Sequence, residues 1–154
     1  MTRPAPSRPP ASELGAAVGR TAARPPRAPM RILLAHGDGE LRRLIGLVLR
    51  SDGHEVVEAT DGSELLEAIA SLVIDGARPF DVIVSAQAMP GLPGVSVLAG
   101  LRSRGRRTPF VLMTGHPFVQ AQARRLGAVV LDRPFDAAAI RRGVQQAEEL
   151  VTER

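Results

Sequence analysis

From residue 31 onward, short apolar runs alternate with longer segments in which apolar residues recur at helical spacing. The short runs predict buried strands, over residues 31–35, 54–59, 80–86, 109–113 and 128–131. The longer segments predict helices, over residues 39–51, 61–74, 95–103, 117–126 and 136–152. The chain therefore reads as five consecutive strand–helix units.

Such alternation predicts a parallel sheet with helices on both faces. Right-handed crossovers and the length of residues 31–154 favour an α/β doubly wound five-stranded sheet, a flavodoxin-like (βα)5 fold with strand order 2-1-3-4-5. Ligands bind such sheets beyond the carboxyl ends of the strands, near the first and third. We therefore expect one crevice, formed by residues 35–38, 85–88, 113–115 and 131–134.

Polar residues mark the helix starts. Asp61 precedes Glu64 by three residues, which is the spacing of a capping box. Asp136 is expected to cap the last helix and Asp38 the first, because aspartate accepts backbone N–H bonds at a helix start.

Residues 1–30 have a different composition, dominated by Pro, Ala and Arg and without aromatic residues. Such a segment cannot bury enough apolar surface to offset the entropy lost on ordering, so we predict a disordered extension. Two interpretations stay open, a real flexible tail or a misassigned start with Met30 as the true first residue. Residues 31–154 are predicted to form one domain.

Composition excludes several classes of site. The absence of cysteine excludes disulfides, zinc thiolate sites and cysteine nucleophiles. No apolar run approaches the roughly 18 residues of a membrane span, so we expect a cytoplasmic protein without a membrane partner. Every basic residue is Arg; residues 1–30 hold five Arg and one acid, whereas the remainder holds 15 Arg and 15 acids. This balance gives no case for nucleic-acid binding, and no direct DNA contact is expected.

The positions expected in the crevice are His36, Gly37, Asp38, Ala86, Thr114, Arg133 and Pro134. One carboxylate and one imidazole are too few for a dedicated metal site, so we expect none. Ser85 and Thr114 are interpreted as structural hydroxyls at strand ends. Arg133 is expected to pair with Asp38 or Asp132, or to bind a ligand anion.

Four stretches resemble the receiver domain of bacterial two-component response regulators. They are RILLAHGDGELRRLIGLVLRSDGHEVVEATDGSELLEAI, PFDVIVSAQAMPGLPGVSVLAGLR, TPFVLMTG and LGAVVLDRPF, the last with the family's basic residue and cis-proline. The resemblance implies the fold above and phosphoryl transfer from a histidine kinase to an aspartate that ends the third strand. It also implies Mg²⁺ held by two acids after the first strand and by that aspartate.

The sequence departs from this pattern at the acids. The two metal-binding acids fall on His36 and Gly37, and the phosphoacceptor falls on Ala86. Three carboxylates and one lysine give a formal charge of about −2, whereas here Arg133, in place of the lysine, leaves about +1. We therefore predict a pseudo-receiver that binds no Mg²⁺, has no cofactor and is not an enzyme.

Three other positions of the family pattern hold uncharged residues in this sequence. Thr114 keeps the hydroxyl, Pro134 keeps the proline, and Val130 replaces an aromatic residue. We predict a stand-alone phosphorelay module that contacts a histidine kinase, another receiver or a transcription factor. The resemblance places these contacts on the last two strands and helices, with Val119, Ala123, Val130, Ile140 and Val144, most of them core, surrounded by Arg124, Arg125, Arg141 and Arg142.

A small-molecule or nucleotide sensor that holds an anion near Arg133 is the alternative function. A dinucleotide site is suggested by residues 37–39, with Glu55 or Glu58 about 20 residues further on. The third glycine of that motif is replaced by Arg42, whose side chain would crowd the helix–strand contact.

Two further interpretations are weaker. A hydrolase built on Ser85, His36 and Asp38 lacks a nucleophile elbow. A DNA-binding regulator would need an output domain, and the chain ends at Arg154 soon after the last helix. The basic stretch 102–107, RSRGRR, is interpreted as a solvated turn.

Overall fold

The computed structural model describes residues 29–76 and 78–152, so most of the predicted extension lies outside the described residues. All the predicted elements are present. In chain order they are β1 (Arg31–Ala35), α1 (Gly39–Ser51), β2 (Glu55–Ala59), α2 (Gly62–Asp75), β3 (Val82–Ala86), α3 (Gly94–Ser103), β4 (Phe110–Met113), α4 (Pro117–Arg125), β5 (Val129–Leu131) and α5 (Ala137–Thr152).

The five strands form one parallel sheet in the order β2-β1-β3-β4-β5, which confirms the predicted topology. Ala35 is in register with Ser85, and Met113 is in register with both Ala86 and Leu131. The last residues of these strands therefore lie along one edge of the sheet. The loops that follow them are the walls of the expected crevice.

Both faces of the sheet are covered, which explains why the strands read as continuous apolar runs. Alternate strand residues such as Leu34 and Val84 pack under α1 and α5, whereas Leu33 and Ile83 pack under α2, α3 and α4. Met89, in the loop after β3, contacts both apolar clusters. Among the described helices, none is both long and apolar enough to span a bilayer.

Met30 belongs to the fold, although composition grouped it with the extension. Its side chain is buried, and its backbone N–H donates to His54 Nδ1 at 3.0 Å. Its carbonyl oxygen accepts from the backbone N–H of Glu55 at 2.9 Å. The described fold therefore starts one residue before the predicted boundary.

The predicted helix caps are confirmed, with one difference. Asp38 Oδ1 accepts two backbone N–H bonds from the first turn of α1, and Asp136 Oδ1 accepts one at the start of α5. Asp61 Oδ1 accepts from the Glu64 N–H at 2.9 Å, as in a capping box. The return bond differs, because Glu64 Oε1 accepts from the N–H and hydroxyl of Thr60 rather than from Asp61.

Candidate functional site

The β1–α1 loop lies at the centre of the crevice, and its histidine is engaged in structural bonds. His36 Nδ1 accepts the backbone N–H of Asp38 at 3.0 Å. Its backbone N–H donates to the Ala59 carbonyl at 3.2 Å, and its carbonyl accepts from Arg42 Nη1 at 2.9 Å. Partial burial lowers the pKa of His36, and the charge of Arg42 adds to this while Asp38 opposes it. The Nδ1 atom of His36 is therefore already a hydrogen-bond acceptor for the loop backbone.

Gly37 occupies a place where a side chain has little room. A Cβ atom at Gly37 would lie 3.1 Å from Pro90 Cδ and 3.8 Å from the Thr60 carbonyl oxygen. Pro90 belongs to the loop after β3, so this loop lies close to the β1–α1 loop. A carboxylate at position 37 would require the Pro90 ring to move by a few tenths of an ångström.

A clamp of two arginines and one glutamate joins α1 to β2. Glu58 accepts from Arg42 Nε at 2.9 Å and from Arg50 Nη1 at 3.1 Å. Burial acts to raise the pKa of Glu58, but the hydrogen bonds and charges of the two arginines together lower it. Gly46 makes room for the clamp, since a Cβ there would lie 3.0 Å from Arg50 Nη1. Both acids considered for a dinucleotide site, Glu55 and Glu58, are in ion pairs.

At the end of β3 the structure places a methyl group where the family pattern has an aspartate. Ala86 is 5% exposed and belongs to the apolar cluster under α1 and α5. The Ser85 hydroxyl is fully buried and donates to the Ala86 carbonyl at 2.8 Å. Gly94 packs against the same carbonyl so closely that a Cβ on it would clash. Ser85 is thus a structural hydroxyl, as predicted, which argues against the hydrolase interpretation.

The end of β4 is held in a similar way. Thr114 is buried, and its Oγ1 accepts the backbone N–H of His116 at 3.1 Å. Its carbonyl oxygen accepts from Gln120 Nε2 at 2.8 Å. Thr114 therefore orders the turn into α4, as predicted for a structural hydroxyl.

Arg133 is exposed beyond β5 and does not form the predicted ion pair. Within the described ranges, neither Asp38 nor Asp132 lies within ion-pair distance of its guanidinium group. Instead, Asp132 Oδ1 accepts the backbone N–H of Arg133 at 2.8 Å, so the carboxylate is turned back to the main chain. The guanidinium group lies beside Gly115, where a Cβ would be 3.5 Å from Arg133 Nη1. The peptide bond to Pro134 is cis.

The charge on Asp132 is stabilised locally. The backbone hydrogen bond from Arg133 lowers its pKa most, followed by the Gln120 side chain. The charges of Arg133 and Arg124 act in the same direction and slight desolvation acts against them. Asp132 is thus held ionised at the rim of the crevice.

The donor set does not fit Mg²⁺, the metal that the family pattern implies. Mg²⁺ requires octahedral coordination by hard oxygen atoms. Here His36 presents an engaged nitrogen, Gly37 presents no side chain, and Ala86 presents a methyl group. Across residues 29–76 and 78–152, no three His, Asp or Glu side chains cluster closely enough to hold a metal ion.

Most of the apolar residues of the predicted interaction face belong to the core. Ala123, Ile140 and Val144 are buried, as expected, while Val119 and Val130 are partly buried. Three of the surrounding arginines, Arg124, Arg125 and Arg142, are exposed. The fourth, Arg141, donates from Nε to Asp52 Oδ2 at 2.8 Å. Arg141 therefore joins α5 to the end of α1 and does not belong to that face.

Sequence reasoning missed an exposed apolar strip on α1, which we call the α1 stripe (Leu41, Leu44 and Leu47). Leu44 is 58% exposed and Leu47 is 62% exposed. The buried side of the same helix is formed by Ile45 and Leu49. A helical wheel shows the signal, because leucines three residues apart fall on the side opposite the core.

Comparisons in sequence agree with this geometry. Residues 32–145 match the model of the response regulator receiver domain. The chain is 32% identical over 124 residues to the transcriptional regulatory protein FixJ of Bradyrhizobium diazoefficiens, covering 76% of this chain and 58% of FixJ. It is 34% identical over 113 residues to the response regulator protein FleR of Pseudomonas aeruginosa, covering 71% of this chain and 23% of FleR. The chain thus spans little more than half of one relative and about a quarter of the other.

Comparisons in structure give the same fold. The chemotaxis response regulator CheY4 of Vibrio cholerae superimposes with a TM-score of 0.65 at 26% identity, over 78% of this chain and 99% of CheY4. A response regulator receiver domain protein from Clostridium thermocellum gives a TM-score of 0.71 at 22% identity, over 80% of this chain and 97% of that one, and supports the fold alone. The chain belongs to the response regulator receiver domain family of two-component signalling.

Proposed function

We propose that this chain is a receiver that takes up no phosphate, is not an enzyme and acts in the cytoplasm through protein–protein contact. The observation that carries the proposal is Ala86, a buried methyl group at the end of β3. Phosphoryl transfer to a receiver needs a carboxylate oxygen at this point, and an alanine side chain has none. Signalling then depends on the amount of the protein present and on its partners.

The metal chemistry supports the same conclusion from independent residues. A dianionic phosphoryl donor needs cationic neutralisation, which Mg²⁺ supplies in the family pattern. His36 and Gly37 offer no oxygen ligand, and Pro90 lies close to the position of a side chain at residue 37. We expect Mg²⁺ binding to be lost.

The direct test is treatment with acetyl phosphate and Mg²⁺, followed by intact-mass spectrometry. We expect no phosphoryl adduct, while a receiver that has all three acids is modified in parallel as the control. A Mg²⁺-dependent phosphoryl group within the crevice would contradict the proposal.

The partners proposed are a histidine kinase, another receiver or a transcription factor, with no direct DNA contact. Exposed contiguous apolar residues mark protein–protein contact sites, and the α1 stripe begins directly after the crevice loop. Phe118, 68% exposed on α4, provides a second anchor of the kind enriched at interfaces.

Cross-linking in cells, followed by mass spectrometry, tests these surfaces. Leu44→Ser and Phe118→Ser should each reduce capture of any two-component protein that binds through the altered surface. Leu66→Ser is the matched control, because Leu66 is 41% exposed on α2 and away from both surfaces. Recovery of no signalling protein by the unmodified chain would remove the support for this part of the proposal.

One observation favours the anion sensor as a second candidate. The Arg133 guanidinium group is exposed beside Gly115, and within the described part of the chain no carboxylate lies within ion-pair distance of it. NMR titration with nucleotides and inorganic phosphate tests it. Saturable shifts at Gly115 and Thr114 that Arg133→Gln abolishes would favour the sensor, and their absence would exclude it.

A further inference from the structure

The α1 stripe concentrates exposed apolar side chains on one helix. Among the described residues, six large apolar side chains are exposed, and three of them are Leu41, Leu44 and Leu47. Val48, half-buried, lies beside Leu44 on the same side of the helix, because residues four apart share a face. Contiguous exposed apolar groups mark contact surfaces, whereas single ones are ordinary. The α1 stripe therefore calls for an occupant.

Paired charges border the α1 stripe. On the β2 side Arg50 donates to Glu58 at 3.1 Å, and at the end of the helix Arg141 of α5 donates to Asp52 at 2.8 Å. A polar rim of this kind around an uncharged centre is typical of protein interfaces. Glu40 differs from these residues. It is exposed, and within the described part of the chain no cation lies within ion-pair distance of it.

The charges of α1 are opposite at its two ends. The first turn holds Glu40 and the last turn holds Arg50. When two copies of the helix lie antiparallel about a two-fold axis, the first turn of each faces the last turn of the other. With the axis midway between Leu44 and Leu47, Glu40 faces Ser51 of the second copy. Arg50 of that copy is then only about 1.5 Å away along the helix axis.

We propose that the α1 stripe is the interface of a symmetric dimer in which the α1 helices of two copies of this chain lie antiparallel. Leu44 of each copy then packs against Leu47 of the other at the centre. Leu41 of each copy packs against Val48 of the other on the side away from the charges. Apolar residues three and four positions apart, as at 41, 44 and 48, are the pattern by which two helices interdigitate.

The charge pattern favours a second copy over a different protein. A partner helix of uniform charge would be attracted by one end of α1 and repelled by the other. A second copy matches both ends at once, because the two-fold axis turns the helix end for end.

The size of the α1 stripe indicates a weak dimer. A helix of 13 residues is about 20 Å long and about 10 Å wide, so one face is far smaller than the roughly 800 Å² per partner of a standard interface. We expect a dissociation constant on the order of 10⁻⁴ M. A dimer of this strength forms and dissociates as the amount of protein changes. The inference rests on the proposed function only for this role, since it gives signalling by protein amount a physical state.

Sedimentation equilibrium of the full chain tests the dimer, at concentrations from about tenfold below to about tenfold above the expected dissociation constant. The average mass should rise from one chain towards two. Leu44→Ser/Leu47→Ser should weaken association at least about tenfold, because both central side chains are lost. Leu66→Ser/Leu150→Ser is the matched control, which removes two exposed leucines from α2 and α5 and should leave association unchanged. All four leucines are exposed, so both variants keep the fold.

Single cysteines test the orientation, because the chain itself contains none. The cross-linker is a short bismaleimide, and the protein is kept well above the dissociation constant. Glu40→Cys should be linked to Ser51→Cys when the two variants are mixed. Neither variant should be linked to itself, because like positions lie about 16 Å apart along the antiparallel helices. A parallel pair of helices would give the reverse pattern and would overturn the arrangement.

The outcomes also separate this dimer from the proposed function. A monomer at every concentration, unchanged association in Leu44→Ser/Leu47→Ser, or an equal loss in Leu66→Ser/Leu150→Ser would each overturn the dimer. A monomeric chain whose Leu44→Ser variant loses capture of a signalling protein would assign the α1 stripe to that protein, and the proposed function would stand. A dimer that captures no signalling protein would support the inference and remove the proposed partners.

Discussion

Introducing a carboxyl group at the phosphoacceptor position tests the pseudo-receiver interpretation at its central residue. Ala86→Asp places the group where the present side chain is 5% exposed, in the apolar cluster that includes Val84 and Met113. An unpaired carboxylate in such a site costs several kcal/mol. The position lies at the edge of the sheet, where water reaches the group more easily, so we expect a loss of about 2–4 kcal/mol at pH 7.

This loss is measurable by thermal denaturation. One kcal/mol corresponds to roughly 3–6 °C in a fold of this size, so the Tm should fall by about 6–24 °C. Burial disfavours the ionised form, so the pKa of the new carboxyl group is raised in the folded state. The destabilisation should therefore diminish as the pH is lowered. The control is Ala88→Asp, two residues away and exposed, which should shift the Tm by little.

The same variant tests the metal argument. Mg²⁺ should not raise the Tm of the Ala86→Asp variant, and acetyl phosphate should not modify it, because positions 36 and 37 still offer no oxygen ligands. The triple variant His36→Asp/Gly37→Asp/Ala86→Asp restores the three acids. Mg²⁺ at ten times its Kd would then stabilise the fold by about 1.4 kcal/mol. Mg²⁺-dependent phosphorylation of the single variant would refute the reasoning, since it would show that a metal site already exists.

Three further substitutions have defined outcomes. Gly94→Ala should cost about 1–3 kcal/mol in urea unfolding, because its Cβ would meet the Ala86 carbonyl, whereas Gly100→Ala on the same helix should stabilise by about 0.5–1 kcal/mol. Glu58→Gln should cost about 1–2 kcal/mol at pH 7, against almost nothing for the exposed Glu67→Gln. Because the pKa of Glu58 is lowered in the fold, this difference should disappear as the pH falls below about 4. The pKa of His36 is also lowered in the fold. The contribution of neutral His36 to the free energy of unfolding is therefore complete above pH about 6.5 and is lost as the pH falls below that value. His36→Gln should remove this part of the acid-induced loss of stability. An unchanged pH profile in that variant, or equal costs in either matched pair, would contradict the corresponding contact.

The sequence pattern was sufficient to predict the fold, because each strand and helix is indicated by residues that are close together in the chain. The bounds of β1 and α1 agree with the prediction to the residue, and the other strands begin one or two residues later than expected. Apolar residues that precede a strand, such as Phe80, are buried without joining the ladder, so hydrophobicity extends the predicted strand too far. Caps at Asp38 and Asp136 followed from rules that involve one turn of chain.

The site was predictable in position and less so in its contacts. The pattern predicted which residues follow the strand ends, but the ion pairs of Arg42 and Arg141 depend on side chains brought together from distant segments. The sequence suggests that Arg133 pairs with Asp38 or Asp132 or binds a ligand anion, yet the Asp132 carboxylate accepts the backbone N–H of Arg133 instead. The closeness of Pro90 to residue 37 likewise arises from two loops that no periodicity connects.

That proximity of Pro90 and Gly37 has an evolutionary consequence. A descendant that acquired an aspartate at position 86 would gain no switch until positions 36 and 37 also changed, and a side chain at position 37 requires the proline ring to shift by a few tenths of an ångström. A phosphate switch at this site therefore needs three coordinated substitutions and a local adjustment of the loop after β3. The exposed surfaces used for protein contact can change one residue at a time.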